Sequence, residues 1–243
     1  MPLNPPSGNM YPWAWTWNPY GGPCLYACNY CYVKNKIAPW LERMGILKYV
    51  GKPRLIESEL KTRLVKPNDG KIIFVESNGD LFGYWIPDHE ILSVLAHCNK
   101  FDNWYLFQDK NPTRFNDFLP YLPPKTILGT TLETNRDYKI TRAPTPHERY
   151  IALLKTNWPH KMLSIEPIMD FDLPILLTWI GSIRPDFISI GADSGKNSLI
   201  EPVSEKIVSL NWQAQLMTEV RLKKNLKRLL SPEHLYILEE KVK

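Results

Sequence analysis

The sequence predicts an α/β fold, a partial (β/α)6 barrel of the TIM type built on parallel strands. Short apolar runs rich in β-branched residues recur along the 243 residues, and each is followed by a polar turn and then by a helical pattern. The 22 prolines and 12 glycines fall mostly between these runs. Because parallel strands need crossovers, and crossovers of this length are normally helical, six such units favour a barrel or partial barrel.

The first unit is marked by aromatic side chains. Tyr11, Trp13, Trp15 and Trp17 alternate with small or polar residues, which is the period of a strand. We expect this stripe to pack against a helix, with base stacking as the alternative. A loop containing three cysteines follows, and residues 32–45 then predict a helix. The apolar side of that helix carries Ile37, Trp40, Leu41 and Met44.

The remaining units repeat the order of strand, turn and helix. Further strands are predicted at residues 71–76, 103–108, 126–132, 162–165 and 187–190. Helices are predicted at residues 88–100, 115–122, 147–156 and 201–216. We therefore expect one core domain over residues 12–230, an N-terminal tail at residues 1–11, and a C-terminal tail or helix at residues 231–243.

Composition narrows the class of protein. A hydrophobic content of 44% with 23% charged residues is typical of a globular protein and argues against disorder. No apolar run approaches membrane-spanning length, and the N-terminus lacks a basic segment followed by an apolar core. Four cysteines, three of them close together, suit a reducing compartment better than a disulfide framework. We expect a cytoplasmic protein with no membrane partner.

Polar side chains follow most of the predicted strands. In barrels of parallel strands the chemistry gathers at the carboxyl ends of the strands, so these residues are the candidate site. They include Ser77, Asn78, Asp80, Lys110, Thr131, Glu133, Glu166 and Asp193. Glu166 and Asp193 directly follow or closely follow apolar strands and are the predicted catalytic carboxylates. The alternative is an ion pair with Lys110 or Arg142.

The cysteine loop carries the most specific signal. Cys24, Cys28 and Cys31 form a CxxxCxxC run in a loop broken by glycine and proline, directly after the first strand. Thiolates at this spacing suit a metal ion or an iron–sulfur cluster, and three of them leave one iron of a four-iron cluster open. A zinc site completed by a distant His, or three unligated thiols, are the alternatives. Cys98 lies at helical spacing behind apolar residues and is predicted to fill the core.

The spacing of the cysteines, with Tyr30 just before the last of them, resembles the cluster loop of radical S-adenosylmethionine enzymes. In that family the loop follows the first strand of a partial barrel, and the likeness covers residues 12–230. The motifs WNPYGGPC and CNYCY look closest to the spore photoproduct lyase branch and to small phage and prokaryotic proteins of the same superfamily. The motifs FQDKNP, TTLETN, SIEPIMDF and IGADS are similar to the latter group.

The resemblance implies a four-iron, four-sulfur cluster on Cys24, Cys28 and Cys31, with S-adenosylmethionine on the open iron. An external donor such as flavodoxin or ferredoxin would supply the electron. Reductive cleavage would then give methionine and a 5'-deoxyadenosyl radical, which abstracts hydrogen from a substrate. The protein would position the cofactor and exclude water.

The resemblance also assigns cofactor-binding roles. The turn of Ser77, Asn78 and Asp80 stands where the family meets the cofactor's amino group, although its letters differ from the family's Gly-Gly-Glu-like pattern. Lys110 would face the methionyl carboxylate. Thr131 and Glu133 would meet the ribose or the methionyl part, and Tyr30 would lie near the adenine.

The substrate is less defined. The resemblance favours a nucleic acid or nucleotide, with a peptide or small metabolite as the second hypothesis and a non-catalytic metal- or nucleic-acid-binding module as the third. The lyase type uses a late cysteine as hydrogen donor, and this chain has none after Cys98, which argues against lyase activity itself. The basic run between Arg221 and Arg228 predicts an amphipathic helix or a nucleic-acid contact. A monomer is favoured.

Overall fold

The computed structural model describes residues 3–6, 11–64, 72–195 and 197–238. It shows an α/β fold whose main sheet has seven strands in the order β1-β4-β5-β6-β7-β8-β9. These strands are β1 Ala14–Trp17, β4 Ile72–Val75, β5 Tyr105–Gln108, β6 Thr126–Thr131, β7 Lys161–Ile165, β8 Phe187–Ile190 and β9 Glu219–Leu222. A small antiparallel pair is formed by β2 Tyr20–Gly21 and β3 Arg54–Leu55.

Helices connect the strands and cover one face of the sheet. The α-helices are α1 Ala38–Arg43, α2 Asp88–Cys98, α3 Phe115–Phe118, α4 Pro146–Lys155, α5 Leu173–Ile183, α6 Ser204–Ala214 and α7 Pro232–Leu238. A π-helical turn, Val33–Ile37, precedes α1. A capping box starts α4, because the Thr145 side chain accepts from the Glu148 backbone N–H and the Glu148 carboxylate accepts from the Thr145 N–H. The predicted helices behind β4, β5, β6 and β8 are present.

All seven strands of the main sheet run parallel, and their order follows the chain. The sheet is a curled half-barrel, which confirms the partial barrel in its coarse form. It has one strand more than predicted, because β9 pairs with β8 where the sequence predicted an amphipathic helix. A 3₁₀ helix, Lys224–Leu229, follows β9. The single-helix prediction for this basic run was therefore wrong.

The two faces of the sheet carry different cores. The larger core lies between the sheet and the helices and includes Trp17 and Leu163. The smaller one lies on the concave face, where Ala14, Phe74 and Met162 meet. Alternate residues of each strand supply the two cores, as the pleat requires.

The predicted aromatic stripe is divided between these cores. Trp17 is 1% exposed and packs in the outer core, as expected. Tyr11 and Trp13 stack on each other with ring centroids 4.3 Å apart and belong to the inner core. They precede β1, so the alternation of the strand does not extend to them. Packing accounts for all three rings.

The helix after the cysteine loop differs from its prediction. Half of the predicted apolar side is exposed, since Trp40 is 50% and Met44 59% exposed, while Ile37 and Leu41 are half-buried. By contrast, Cys98 is fully buried at the end of α2, which confirms its predicted place in the core. The helix α5 was not predicted at all.

The chain ends make specific contacts where they are described. Asn4, in the predicted N-terminal tail, pairs antiparallel with Thr16. At the other end, α7 buries Leu238. Lys71, placed in a strand by the sequence, lies outside the described residues, as do parts of both predicted tails. In the described ranges, no helix combines the length and apolarity needed to cross a membrane.

Candidate functional site

The cysteine loop lies at the carboxyl ends of the strands and is covered by a second loop. This covering loop connects β6 to α4, and its central residues run alongside the cysteines. The Asn29 N–H donates to the Ile140 carbonyl at 2.9 Å, and the Arg142 N–H donates to the Tyr26 carbonyl at 2.8 Å. Two backbone hydrogen bonds therefore hold the two loops together. The backbone contacts to the cysteine loop come from residues 140–142.

All three cysteines of the loop are free thiols, and each makes a different polar contact. The Cys24 thiol donates to Asp80 Oδ2 at 3.2 Å, and the Cys28 thiol donates to Thr141 Oγ1 at 3.2 Å. The Lys34 N–H donates to the sulfur of Cys31 at 3.5 Å. Burial raises the pKa of Cys24 and of Cys28, and for Cys24 the negative charge of Asp80 adds to the effect. Without a cation these two groups stay protonated, so binding a metal must release their protons.

The cysteines are not gathered around one point. In the ranges that the structure describes, no three Cys, His, Asp or Glu side chains are arranged to hold a single metal ion. A closed zinc site would need four ligands around one ion. The thiolates of an iron–sulfur cluster bind different iron atoms and lie farther apart, so the donor set is compatible with a cluster.

Lys110 lies among the acidic groups and the thiols of the site. Its backbone N–H donates to Asp80 Oδ1 at 2.8 Å, and its ammonium lies 5.7 Å from the centre of the Tyr30 ring. Burial alone would lower the pKa of Lys110, but Cys28, Asp80 and Glu133 together raise it above its ordinary value. The ammonium is therefore a fixed positive charge at the mouth of the barrel.

Glu133 is paired with a buried arginine that the sequence did not single out. Arg149 Nη1 lies 2.9 Å from Glu133 Oε2, and both side chains are 1% exposed. The Tyr30 hydroxyl donates to the other carboxylate oxygen. Burial would raise the pKa of Glu133, but the charges of Arg149 and Lys110 hold it below its ordinary value. The structure thus places Tyr30, Lys110 and Glu133 together, as predicted from their positions.

The predicted site residues in the turn after β4 have different roles. Asn18 Oδ1 accepts from the Asn78 N–H at 2.9 Å and from the Ser77 hydroxyl at 3.1 Å, so these two residues serve to hold the turn. The Asn78 side chain donates to the Tyr49 hydroxyl at 2.7 Å. Asn78 Oδ1 accepts from the Tyr32 hydroxyl at 2.9 Å, directly after the last cysteine, and the Asp80 carboxylate contacts Cys24 itself.

Glu76 directly follows β4 and lies beneath this turn. It is 3% exposed, has a positive φ of 58° and accepts from the Tyr20 N–H at 2.9 Å. Burial raises its pKa to about 8. Its neighbours Lys48 and Glu59 form a buried pair at 2.8 Å. The turn therefore rests on a second polar cluster.

Tyr11 forms the floor of the barrel mouth. Its hydroxyl lies 2.8 Å from Gln108 Oε1 and 3.0 Å from Ser164 Oγ. Gln108 Nε2 in turn donates to Thr131 Oγ1 at 3.1 Å, so the Thr131 hydroxyl is bound by a side chain of the neighbouring strand β5. The Ser189 hydroxyl, fully buried, has no hydrogen-bond partner in the described part of the chain. These contacts span the barrel, and no local sequence pattern indicates this role of Tyr11.

The two predicted catalytic carboxylates are both engaged. Glu166 accepts from the Lys223 ammonium at 2.8 Å and from Asn225 Nδ2 at 3.2 Å. The alternative expectation of an ion pair was correct in kind, but its partner is Lys223 rather than Lys110 or Arg142. Asp193 accepts from the backbone N–H groups of Asn197 at 2.6 Å and of Gly195 at 2.9 Å.

The hydrogen bonds that Asp193 accepts within its own loop also determine the direction of its pKa shift. Burial would raise its pKa, but the hydrogen bonds from Asn197 and Gly195 hold it below its ordinary value. Asp193 thus orders its own loop. That loop also contacts the segment after the cysteines, since the Lys36 ammonium donates to the Ser194 carbonyl at 3.3 Å. The contact joins opposite sides of the mouth.

The predicted basic run is largely neutralised. Arg221 pairs with Glu219 at 2.8 Å, Lys223 with Glu166, and Arg228 with Glu201. Arg221 also lies over the Phe187 ring at 3.7 Å. These contacts account for three of the five cations of the run, which weakens its interpretation as a nucleic-acid contact.

Comparison with known proteins adds a family but no activity. No curated protein matches the chain. Residues 12–219 match the family described as "Protein of unknown function (DUF5131)", and this match begins just before β1 and ends at the first residue of β9. It therefore includes the cysteine loop, all the predicted site residues and six of the seven parallel strands. The chain belongs to the DUF5131 family.

Proposed function

We propose that the protein is a radical S-adenosylmethionine enzyme that holds one four-iron, four-sulfur cluster on Cys24, Cys28 and Cys31. The observation that carries this proposal is the set of acidic and thiol groups around Lys110. One ammonium lies within electrostatic reach of Cys28, Asp80 and Glu133, at the carboxyl ends of three parallel strands and the cysteine loop. A closed structural metal site has no need of such a set of opposite charges.

The donor chemistry supports the proposal. Three free cysteines on one loop match a cluster with one open iron. When bound, the cluster supplies the electron for reductive cleavage of S-adenosylmethionine, which leads to hydrogen abstraction from a substrate. The half-barrel sheet also supports the proposal, because the core of radical S-adenosylmethionine enzymes is a partial barrel of parallel strands.

The charges at the mouth complement the two ends of an amino acid. Asp80 is a carboxylate that accepts from an ammonium group, and its oxygens already face Cys24 and Lys110. Lys110 offers a positive charge to a carboxylate. Both lie beside the cysteine loop, so a methionyl group bound between them would be held close to the open iron.

Glu133, Arg149 and Tyr30 form the rigid side of the site. Arg149 pairs with Glu133 and also donates to the Pro144 carbonyl at 2.9 Å, which fixes the end of the covering loop. With its partner charge in place, Glu133 stays ionised and accepts from Tyr30. In the proposed enzyme, Tyr30 lies near the adenine, and Glu133 with Thr131 meets the ribose or the methionyl part.

The floor of the mouth excludes water. Tyr11, Trp13 and Phe74 stack beneath the polar layer, with the Tyr11 and Phe74 ring centres 5.7 Å apart. A radical formed above them is thereby shielded from solvent on the barrel side. Glu166 and Lys223 border the same floor, since the Lys223 ammonium lies 5.2 Å from the Tyr11 ring centre. We propose this pair as the substrate side, with a nucleic acid or nucleotide as the first substrate class to test.

The experiment is anaerobic incubation of the iron- and sulfide-reconstituted protein with S-adenosylmethionine and dithionite. We expect 5'-deoxyadenosine, detected by mass spectrometry, from the wild type and from Cys98→Ala, whose cysteine is buried in the core. We expect none from Cys28→Ala. Equal product from Cys28→Ala and Cys98→Ala, or none from the wild type, would reject the proposal.

A further inference from the structure

The central part of the covering loop lies over a cavity and packs on no core. We call these residues, 137–143, the flap. None of them belongs to either hydrophobic core of the residues that the structure describes. Six of the seven line a cavity of about 110 Å³, together with Glu133 and Arg149. A segment with few buried apolar contacts opens locally at a lower free energy than the core of a fold. The flap is therefore the part of the site that is held least firmly.

Both ends of the flap are anchored. Just before it, Arg136 pairs with Asp170 and with Asp172, which lie in the loop between β7 and α5. Just after it, Arg149 Nε donates to the Pro144 carbonyl at 2.9 Å. Arg149 lies on α4, which its capping box holds in place. Movement of the covering loop is thus restricted to the residues between these two anchors.

Polar contacts join the flap to the cysteine loop. The Ile140 carbonyl and the Arg142 N–H take part in the two backbone hydrogen bonds between the loops. Between them, Thr141 Oγ1 accepts from the Cys28 thiol at 3.2 Å and donates to the Tyr26 carbonyl at 3.2 Å. Cys28 is 6% exposed. The flap therefore lies directly against this thiol.

The other two cysteines of the loop are placed differently. Cys24 and Cys31 are half-buried, whereas Cys28 is buried. The Cys24 thiol donates to Asp80, and the Cys31 sulfur accepts from the Lys34 N–H. In the part of the chain that the structure describes, neither sulfur has a hydrogen-bond partner in the flap. The flap thus covers one thiol of the three.

We propose that the flap is a lid over Cys28, which must open before a metal or cluster reaches this thiol and which closes over the bound group. Opening breaks the contacts of Ile140, Thr141 and Arg142 to the cysteine loop, and it leaves both anchors in place. The cavity beside Glu133 then becomes continuous with solvent. This inference goes beyond the proposed function, because it applies to any group that needs Cys28 as a ligand.

Amide hydrogen exchange of the metal-free protein, followed by NMR, measures the opening directly. The Asn29 and Arg142 amides donate across the contact between the loops, whereas the Leu128 amide donates to the His160 carbonyl within the barrel. We expect Asn29 and Arg142 to share one protection factor, about 100-fold below that of Leu128. Protection equal to that of Leu128 would overturn the proposal, because the flap would then open only when the whole chain unfolds.

A second experiment loosens the anchor before the flap and leaves the cysteines unchanged. Arg136→Gln removes its ion pairs, and Asp172→Asn removes one of them. Asp186→Asn is the matched control, because it makes the same change in an ion pair with His160. The Asp172 and Asp186 side chains are 45% and 43% exposed. Alkylation of the metal-free protein by iodoacetamide is then measured for each cysteine by peptide mass spectrometry.

Cys31 is the internal reference for a thiol outside the flap, and Cys98, fully buried in the core, reports global unfolding. We expect Cys28 to react about threefold faster in Asp172→Asn and about tenfold faster in Arg136→Gln. The rates of Cys31 and Cys98 should stay as in the wild type, and Asp186→Asn should match the wild type throughout.

Two results would overturn the lid. The first is an equal Cys28 rate in all four proteins. The second is a Cys98 rate that rises together with the Cys28 rate, because the thiol would then be reached through global unfolding. Both experiments use the protein without metal or S-adenosylmethionine, so a failure of the lid and a failure of the proposed function are told apart.

Discussion

The Lys223 ammonium lies 2.8 Å from Glu166 Oε2 and joins the edge strand β9 to the end of β7, across β8. The two side chains are 11% and 19% exposed, so the pair is mostly withdrawn from water. Glu166 borders the site, and Lys223 follows a strand that the sequence did not predict. The pair therefore ties the last strand of the sheet to the barrel mouth.

Replacing Lys223 with Met should destabilise the fold, because it leaves Glu166 partly buried without its cation. We expect a loss of about 2 kcal/mol in the free energy of unfolding, measured by urea denaturation at neutral pH. Lys125→Met is the control, since Lys125 and Asp102 pair at 2.5 Å on the surface, where they are 43% and 76% exposed. That change should cost less than about 1 kcal/mol. Equal losses in the two variants would show that the Glu166 pair has no special role.

Arg149→Met should be more damaging, because Glu133 would keep a charge with no partner in a nearly dry position. The expected loss of unfolding free energy is about 3–5 kcal/mol. The double variant Glu133→Gln/Arg149→Met should recover part of this loss, because it removes the uncompensated charge. A double variant as unstable as the sum of the two single changes would contradict this electrostatic account.

The pH dependence of stability should report Glu76. Its folded-state pKa of about 8 exceeds its ordinary value of 4.5, so the folded chain binds more protons than the unfolded chain between these two values. The contribution of Glu76 to stability is therefore complete below pH 4.5 and is lost as the pH rises to about 8. One such proton gives a slope of at most about 1.4 kcal/mol per pH unit. Unfolding free energies measured across this range should fall less steeply in Glu76→Gln, and parallel profiles would refute the shift.

Residue 191 must be glycine because the Glu166 carboxyl group lies against its backbone. A Cβ atom at residue 191 would lie 2.7 Å from the Glu166 carboxyl carbon and 3.1 Å from Asn225 Oδ1. Gly191→Ala should therefore cost about 1–3 kcal/mol of unfolding free energy, measured by denaturation. Gly181→Ala is the matched control, because this glycine lies inside α5 and its Cβ would meet only the Met217 sulfur, at 3.3 Å. Alanine there should be neutral or stabilising by up to about 1 kcal/mol. A Gly191→Ala variant as stable as Gly181→Ala would show that Glu166 moves freely.

Local sequence patterns predicted the strands that are buried on both faces. The run at residues 187–190 became β8 without any change of boundary, because a short apolar β-branched run between turns has few alternatives. The helix α5 was missed, since its sequence LPILLTWIGSI is apolar almost throughout and shows no periodic contrast. β9 was missed because its residues EVRL run into leucines and cations at helical spacing.

The site was predictable in position but not in pairing. Residues that follow parallel strands meet at one edge, so Asp80, Lys110 and Glu133 were placed together from the sequence alone. Their partners come from distant segments, as with Arg149 on α4 and Tyr11 before β1. Such contacts depend on how helices and chain ends pack on the barrel, and no local pattern encodes them. The exposure of Trp40 was missed for the same reason, because helical periodicity shows an apolar side but not what covers it.

The most direct measurement of the central claim is metal analysis combined with electron paramagnetic resonance. The anaerobically reconstituted wild type should contain about four iron and four sulfide per chain, and its reduced spectrum should change when S-adenosylmethionine is added. Cys28→Ala should lose the iron and the signal. A wild type that binds one zinc per chain, or a reduced spectrum that S-adenosylmethionine leaves unchanged, would contradict the account.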